Sequence, residues 1–161
     1  MDASRMKIVV FGPFNAGKST FIQAIDPESR HVEADTLGGT TTVAIDFGRA
    51  DILGREIHLF GTPGQERFEF VRHITEQGMD AAILMVDCSS GIDTFTQELY
   101  DHLERTGVPF GIMLNKCDLE DSCPSLVREK LPCARSFEIS ARNPKRAREA
   151  LEMFIRTLGT G

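Results

Sequence analysis

The chain has 161 residues, a formal net charge of −6, and 41% hydrophobic against 26% charged residues. That length suits one domain with a full core and is too short for two of ordinary size, so residues 1–161 are expected to form a single domain. The acidic balance argues against nucleic acid as a partner, because a phosphate backbone is met by clustered Lys and Arg. No apolar run approaches the ~18 residues that read as a membrane span.

The four cysteines, Cys88, Cys117, Cys123 and Cys133, form no C-x-x-C pair and have no His at zinc-finger spacing. They read as reduced thiols of a cytoplasmic protein. Met1-Asp2-Ala3-Ser4-Arg5-Met6 holds no apolar signal segment and no glycine at position two, and Leu158-Gly159-Thr160-Gly161 carries no prenylation cysteine. A direct membrane anchor is therefore not expected.

In chain order, Lys7-Ile8-Val9-Val10-Phe11 reads as a buried strand. Gly12-Pro13-Phe14-Asn15-Ala16-Gly17-Lys18-Ser19 follows, fitting G-x-x-x-x-G-K-S/T, and Lys18 to Ile25 reads as the opening of a helix. Gly12 and Gly17 let the backbone wrap close to an anion, and the amides of Asn15, Ala16, Gly17 and Thr20 stand at a positive helix end. Lys18 is expected at the β/γ-phosphates and the Ser19 hydroxyl on Mg²⁺. A strand–loop–helix of this form binds a nucleoside di- or triphosphate.

Asp26 to Thr42 is polar and turn-rich, and its end, Leu37-Gly38-Gly39-Thr40-Thr41-Thr42, suits a loop that orders on a ligand. Val43 to Ala50 and Glu56 to Phe60 flank a turn glycine, Gly54, and read as an antiparallel hairpin. Gly61-Thr62-Pro63-Gly64-Gln65-Glu66 cannot be regular structure, whereas Arg67 to Gln77 reads as a helix stopped at Gly78. Ala81 to Val86 is a continuous apolar run typical of a parallel strand covered on both faces. A helix over Asp93 to Thr106, a strand over Pro109 to Leu114, a short helix over Ser125 to Lys130 and a strand over Ser136 to Ile139 come next. From Asn143 a last helix puts Ala147, Ala150, Leu151, Phe154, Ile155 and Leu158 on one face, with Lys145, Arg146, Arg148 and Arg156 on the other. Docking of that apolar face on a sheet is the expected reading.

Alternating strands and helices predict an α/β fold: an open, mostly parallel six-stranded sheet with one antiparallel strand and helices on both faces. Ligands of such sheets sit at the carboxyl ends of the strands. The strand ending at Leu114 runs into Asn115-Lys116-Cys117-Asp118, of the form N-K-x-D. A carboxylate at Asp118 can accept from guanine's ring N–H and exocyclic amino group together, a donor pair that adenine lacks. A site built to hydrogen-bond such a group can reject an analogue lacking it by on the order of 10⁴–10⁵-fold. Asn115 would brace the loops, and the Lys116 stem would lie along the base. After the last strand, the backbone amides of Ser140-Ala141-Arg142 could meet the guanine oxygen.

With the phosphate loop, a switch threonine, P-G-Q-E, N-K-x-D and S-A-x in this order, the chain resembles the Ras-like small GTPase superfamily from Lys7 to Leu158. The hairpin resembles the Arf/Rag branch. Leu59-Phe60-Gly61-Thr62-Pro63-Gly64-Gln65-Glu66-Arg67-Phe68 is similar to a prokaryotic Ras-like group allied to the bacterial gliding-motility GTPase.

The resemblance implies GTP/GDP and Mg²⁺ as ligands and slow GTP hydrolysis as the activity, in a molecular switch whose moving parts are roughly Asp35–Thr42 and Gly61–Arg72. It assigns Thr42, ahead of Thr41 and Thr40, to Mg²⁺ and the γ-phosphate, Gly64 to the γ-phosphate, and Gln65 to the attacking water. Lys18, Thr42 and Gln65 are thus the expected catalytic set, and Ser19 and Thr42 the metal ligands. It further suggests an effector or activator of the Roadblock/LC7 class.

Two departures stand out. Relatives carry D-x-x-G where this chain has Gly61, and that acid normally holds Mg²⁺ through a bound water. Weaker Mg²⁺ affinity follows unless Asp46, Asp87 or Asp35 supplies a carboxylate, the first two being better placed. Phe14 fills the phosphate loop where relatives keep a small residue, which should obstruct an activator's arginine. Arg49 and Arg67 are then candidate internal arginines, against the plainer reading of surface charges. A GTP-binding adaptor without turnover and an ATP-dependent kinase are the competing readings, the second disfavoured by Asp118.

Overall fold

A computed structural model describes residues 5–13, 15–35, 42–62 and 77–159, with side chains of 33–35 and 42–44 left aside. Its elements are β1 (Arg5–Phe11), α1 (Lys18–Ile25), β2 (Arg30–Asp35), β3 (Thr42–Ile52), β4 (Arg55–Gly61), β5 (Ala81–Asp87), α2 (Thr94–Thr106), β6 (Phe110–Asn115), α3 (Pro124–Lys130), β7 (Ser136–Glu138) and α4 (Pro144–Leu158). The helix expected from Arg67 lies outside the described residues.

The most apolar runs become the middle of the sheet. β5 and β6 are buried at every position, as strands covered on both faces must be. The strand order is β2-β3-β4-β1-β5-β6-β7. β1 runs parallel to β4 and β5, β5 parallel to β6, and β6 parallel to β7, while β3 is antiparallel to both β2 and β4. One strand is therefore reversed, as expected, but the sheet has seven strands and not six. The addition is β2, inside the stretch expected to be loop. Its sequence, Arg30-His31-Val32-Glu33-Ala34-Asp35, is polar because it is an edge strand with β3 as its neighbour.

The hairpin is tighter than its sequence suggests. Ile52 pairs with Arg55, leaving Leu53 and Gly54 as a two-residue turn with φ of 53° and 78°. Both values are positive, as a type I′ turn demands, and the twist of that turn matches the strands it joins.

Two cores lie on opposite faces of the sheet. On one, Phe21, Ile22 and Ile25 of α1 and Ala147, Leu151, Phe154 and Ile155 of α4 pack with Ile8, Val10, Leu59, Ile83 and Met113. On the other, Leu99 and Leu103 of α2 and Val127 of α3 meet Val9, Phe11, Leu84, Ile112 and Leu114. The caps follow the sequence signals. Asp93 accepts from the Thr96 amide at 2.7 Å, Gly107 ends α2 at φ 76°, and Pro144 follows the Asn143 cap of α4. The basic face of α4 is also used, since Arg148 donates to the Asp51 carbonyl at 2.9 Å and ties the helix to the hairpin.

Phe154 is fully buried against Gly111, where a Cβ would come within 2.8 Å of its ring. Replacing Phe154 with Ala should cost about 3–5 kcal/mol of stability, the usual cost of an aromatic cavity. Urea unfolding measures it, and a loss below ~1 kcal/mol would contradict this packing.

Candidate nucleotide-binding site

The carboxyl ends of β1, β4 and β6, and the loop after β7, open onto one pocket of about 600 Å³. It is lined by Asn15, Gly17, Lys18, Ser19 and Thr20 from the loop and first turn of α1, and by Asn115, Lys116 and Asp118 after β6. Ser140, Ala141 and Arg142 also line it, as do Gly61, Thr62, Ile45, Asp46 and His31 from the hairpin side. A phosphate loop and an N-K-x-D segment nearly one hundred residues apart thus face one space. The volume falls in the range of about 300–1,000 Å³ usual for small-ligand sites.

The loop after β1 is drawn tight by steric necessity. A Cβ at Gly12 would stand 2.7 Å from the Met85 carbonyl oxygen, and one at Gly17 would stand 2.3 Å from Asn115 Nδ2. Gly17 has φ 94° and accepts from the Phe21 amide at 2.9 Å, which starts α1. Lys18 is buried, and its ammonium donates to the carbonyl of Gly12 and, at 3.3 Å, to that of Pro13. The charge therefore lies over the loop. Ala16 is buried, whereas Asn15, Ser19 and Thr20 are exposed to the pocket mouth.

Asn115 has the bracing role expected of it. Its Nδ2 donates to the Ala16 carbonyl at 2.8 Å, and its Oδ1 accepts from the Ala141 amide at 2.8 Å. One buried side chain joins the phosphate loop, the end of β6 and the loop after β7. The Ala141 amide, expected at a guanine oxygen, is thus donated to Asn115. The N-K-x-D turn is pinned from both sides, by Cys117 N–H to the Ile139 carbonyl at 3.1 Å and Leu119 N–H to the Lys116 carbonyl at 3.1 Å. Lys116 itself has φ 65°. Asp118 is exposed at the pocket wall, open to a ligand edge.

Lys116 has a partner that its motif did not announce. Its Nζ lies 2.8 Å from Asp87 Oδ2 at the end of β5. Asp87 also accepts from the Ser89 amide at 2.9 Å and the Ser89 hydroxyl at 2.6 Å. Burial pushes the Asp87 carboxyl up, but Lys116 and the two Ser89 donors outweigh it and hold it below the usual aspartate range. Burial also lifts the neighbouring Cys88 thiol to about 12, so this cysteine stays protonated.

Of the carboxylates considered in place of an acid at position 61, Asp87 is thus engaged elsewhere. Asp35 ends β2 opposite Thr42, and the side chains of both lie outside those described. Asp46 is different. It stands opposite Gly61 in the β3–β4 register, accepts from the Ser19 hydroxyl, and lies 2.9 Å from His31 Nδ1. Arg49 is exposed and pairs with Glu56 at 3.5 Å, which makes it a surface charge and not a pocket arginine. Phe14, Thr40, Thr41, Gly64, Gln65 and Arg67 lie outside the described residues. The sequence reading missed His31 and Thr62. His31 enters through the unanticipated edge strand, and Thr62 is buried with its amide on the Val10 carbonyl at 3.0 Å.

Known proteins are similar to this chain. The 50S ribosome-binding GTPase family matches residues 7–116. An uncharacterised protein of Methanocaldococcus jannaschii is 37% identical over 121 residues, covering 75% of this chain and 76% of its own. Translation initiation factor IF-2 of Roseiflexus castenholzii is 30% identical over 92% of this chain, which spans 21% of that factor. Among solved structures, the G domain of the T. maritima FeoB iron transporter superposes with a TM-score of 0.75 at 18% identity, over 96% of this chain and 99% of that one. The fold is that of a P-loop GTPase G domain, and the chain belongs to the 50S ribosome-binding GTPase family.

Proposed function

We propose that this chain is a single-domain small GTPase, a molecular switch that binds guanine nucleotide with Mg²⁺ and hydrolyses GTP to GDP and phosphate. The observation that carries it is the junction made by Asn115. It sets the phosphate loop and the Asp118 carboxylate on opposite walls of one pocket.

In that reading the phosphates lie over the amides from Asn15 to Thr20, with the Lys18 ammonium turning from the Gly12 and Pro13 carbonyls to them. These groups stabilise charge that grows on the phosphate oxygens, because their dipoles are already aimed there. Gln65 orients water in line with the γ-phosphate, and Gly64 and Thr42 report that phosphate to the two switch segments. Bound Mg²⁺ would neutralise charge between the β- and γ-phosphates. The donor chemistry fits a hard cation, since the Ser19 hydroxyl and the Asp46 carboxylate are oxygen ligands brought together.

Affinity with the prokaryotic Ras-like group, the Arf/Rag-like hairpin and a Roadblock/LC7-type regulator belong to the same proposal. Phe14 supports an activator that rearranges residues of this chain and inserts no arginine of its own. A cytoplasmic site of action reached through partners belongs to it too; no helix among the described residues is long and apolar enough to cross a membrane.

Calorimetry with GDP and Mg²⁺ tests the base assignment. Asp118→Ala removes the acceptor of two guanine donors and should weaken GDP about a hundredfold, near 3 kcal/mol, while ATP binds wild type poorly. Equal affinity for GDP in the variant would refute it. In single-turnover hydrolysis, wild type should proceed at about 10⁻⁴–10⁻² s⁻¹, the range of unassisted relatives. A rate no faster than GTP alone in buffer would favour the alternative, an adaptor that binds GTP without turnover.

A further inference from the structure

Position 61 ends a strand at the phosphate end of the pocket and carries no side chain. Packing disfavours one. A Cβ there would stand 2.8 Å from Ile22 Cδ1, and the neighbouring strand is glycine at 48 against the same residue, with Ile22 Cγ2 at 2.7 Å from a built Cβ. Ile22 is fully buried and fills the space between α1 and the hairpin. An aspartate at 61 would compete with it.

One strand over, the register places Asp46 directly across from Gly61, with the built Cβ of Gly61 3.4 Å from Asp46 Cβ and 3.7 Å from its Oδ2. The Asp46 carboxylate therefore reaches the volume that a side chain at 61 would claim. It is held there at both oxygens, by the Ser19 hydroxyl on Oδ2 and by His31 Nδ1 at 2.9 Å on Oδ1. Its side chain is only 19% exposed.

The geometry points to Asp46 as the carboxylate that serves the Mg²⁺ of the nucleotide complex, relocated from β4 to β3 because Ile22 occupies the space beside Gly61. Ser19 is the hydroxyl that a cation at a phosphate loop takes as ligand, and Asp46 is the anionic group already bonded to it. This inference rests on the guanine-nucleotide reading above. His31 acts as a positioning residue, fixing the carboxylate from the edge strand.

The test is the Mg²⁺ concentration at which a fluorescent GDP analogue is retained by the full chain, alongside GDP affinity in EDTA. Asp46→Asn keeps the shape and one acceptor oxygen but removes the charge. Its Mg²⁺ midpoint should rise about tenfold or more, the usual cost of losing a carboxylate that supports a metal site. Its GDP affinity in EDTA should equal or exceed that of wild type, because a negative charge beside the phosphates is gone. Within an Ile22→Val background, which removes Cδ1, adding Gly61→Asp to Asp46→Asn should restore the midpoint. An unchanged midpoint in Asp46→Asn overturns the inference, as does a parallel loss of affinity with and without Mg²⁺, which would mark a purely structural role. Wild type that binds no GDP in either condition would instead remove the nucleotide reading itself, and the inference with it.

Discussion

The site depends on one buried amide. Asn115 ends β6, an inner strand buried at every position, and its two polar atoms are spent on backbone groups of two other segments, the Ala16 carbonyl and the Ala141 amide. A buried amide left unpaired costs on the order of 1–3 kcal/mol, so the loops gain their fixed spacing from the need to satisfy it. Gly17 is the other half of the constraint. The loop can come this close because position 17 has no Cβ, and its left-handed backbone turns the chain into α1. Removing either partner would separate the phosphate wall from the base wall.

On the hairpin side the same logic of space decides where charge can stand. α1 lies on two glycines, 48 and 61, and Ile22 fills the contact. The end of Ile22 and a side chain at the end of β4 compete for one space there. The pleat offers a solution, because facing residues of adjacent strands stand about 4.5–5.5 Å apart and a side chain can be exchanged across the pair with little displacement. The Asp46–Ser19 contact is what that exchange produces.

Much of this was legible in the sequence, and the rest was not for identifiable reasons. The buried parallel strands announced themselves as unbroken apolar runs, the phosphate loop and Asn115-Lys116-Cys117-Asp118 as spaced motifs, and α4 as a stripe ending in Phe154 and Ile155. β2 did not, because an edge strand needs neither an apolar run nor clean alternation, and its partner becomes known only with the register of β3. His31 was hidden for the same reason. The choice between Asp46 and Asp87 was also unreadable locally. Asp46 lies within β3 and Asp87 ends β5, and only the fold shows that the first faces Ser19 and the second Lys116.

The two ends of the pocket divide the work of recognition. At one end Lys18 is buried and Gly12 and Gly17 let the loop close up, so charge on a phosphate would meet donors already held in place. Such a setting supplies affinity, and it does so for any nucleotide. At the other end Asp118 is exposed, on a turn held by Cys117, Leu119 and the Lys116–Asp87 pair. In the proposed reading, a carboxylate accepting from both guanine donors adds to binding and discriminates strongly between bases that do and do not offer them. Guanine selection can therefore rest on a rigid rim outside the core, because Asn115 carries the position of that rim back to the phosphate loop.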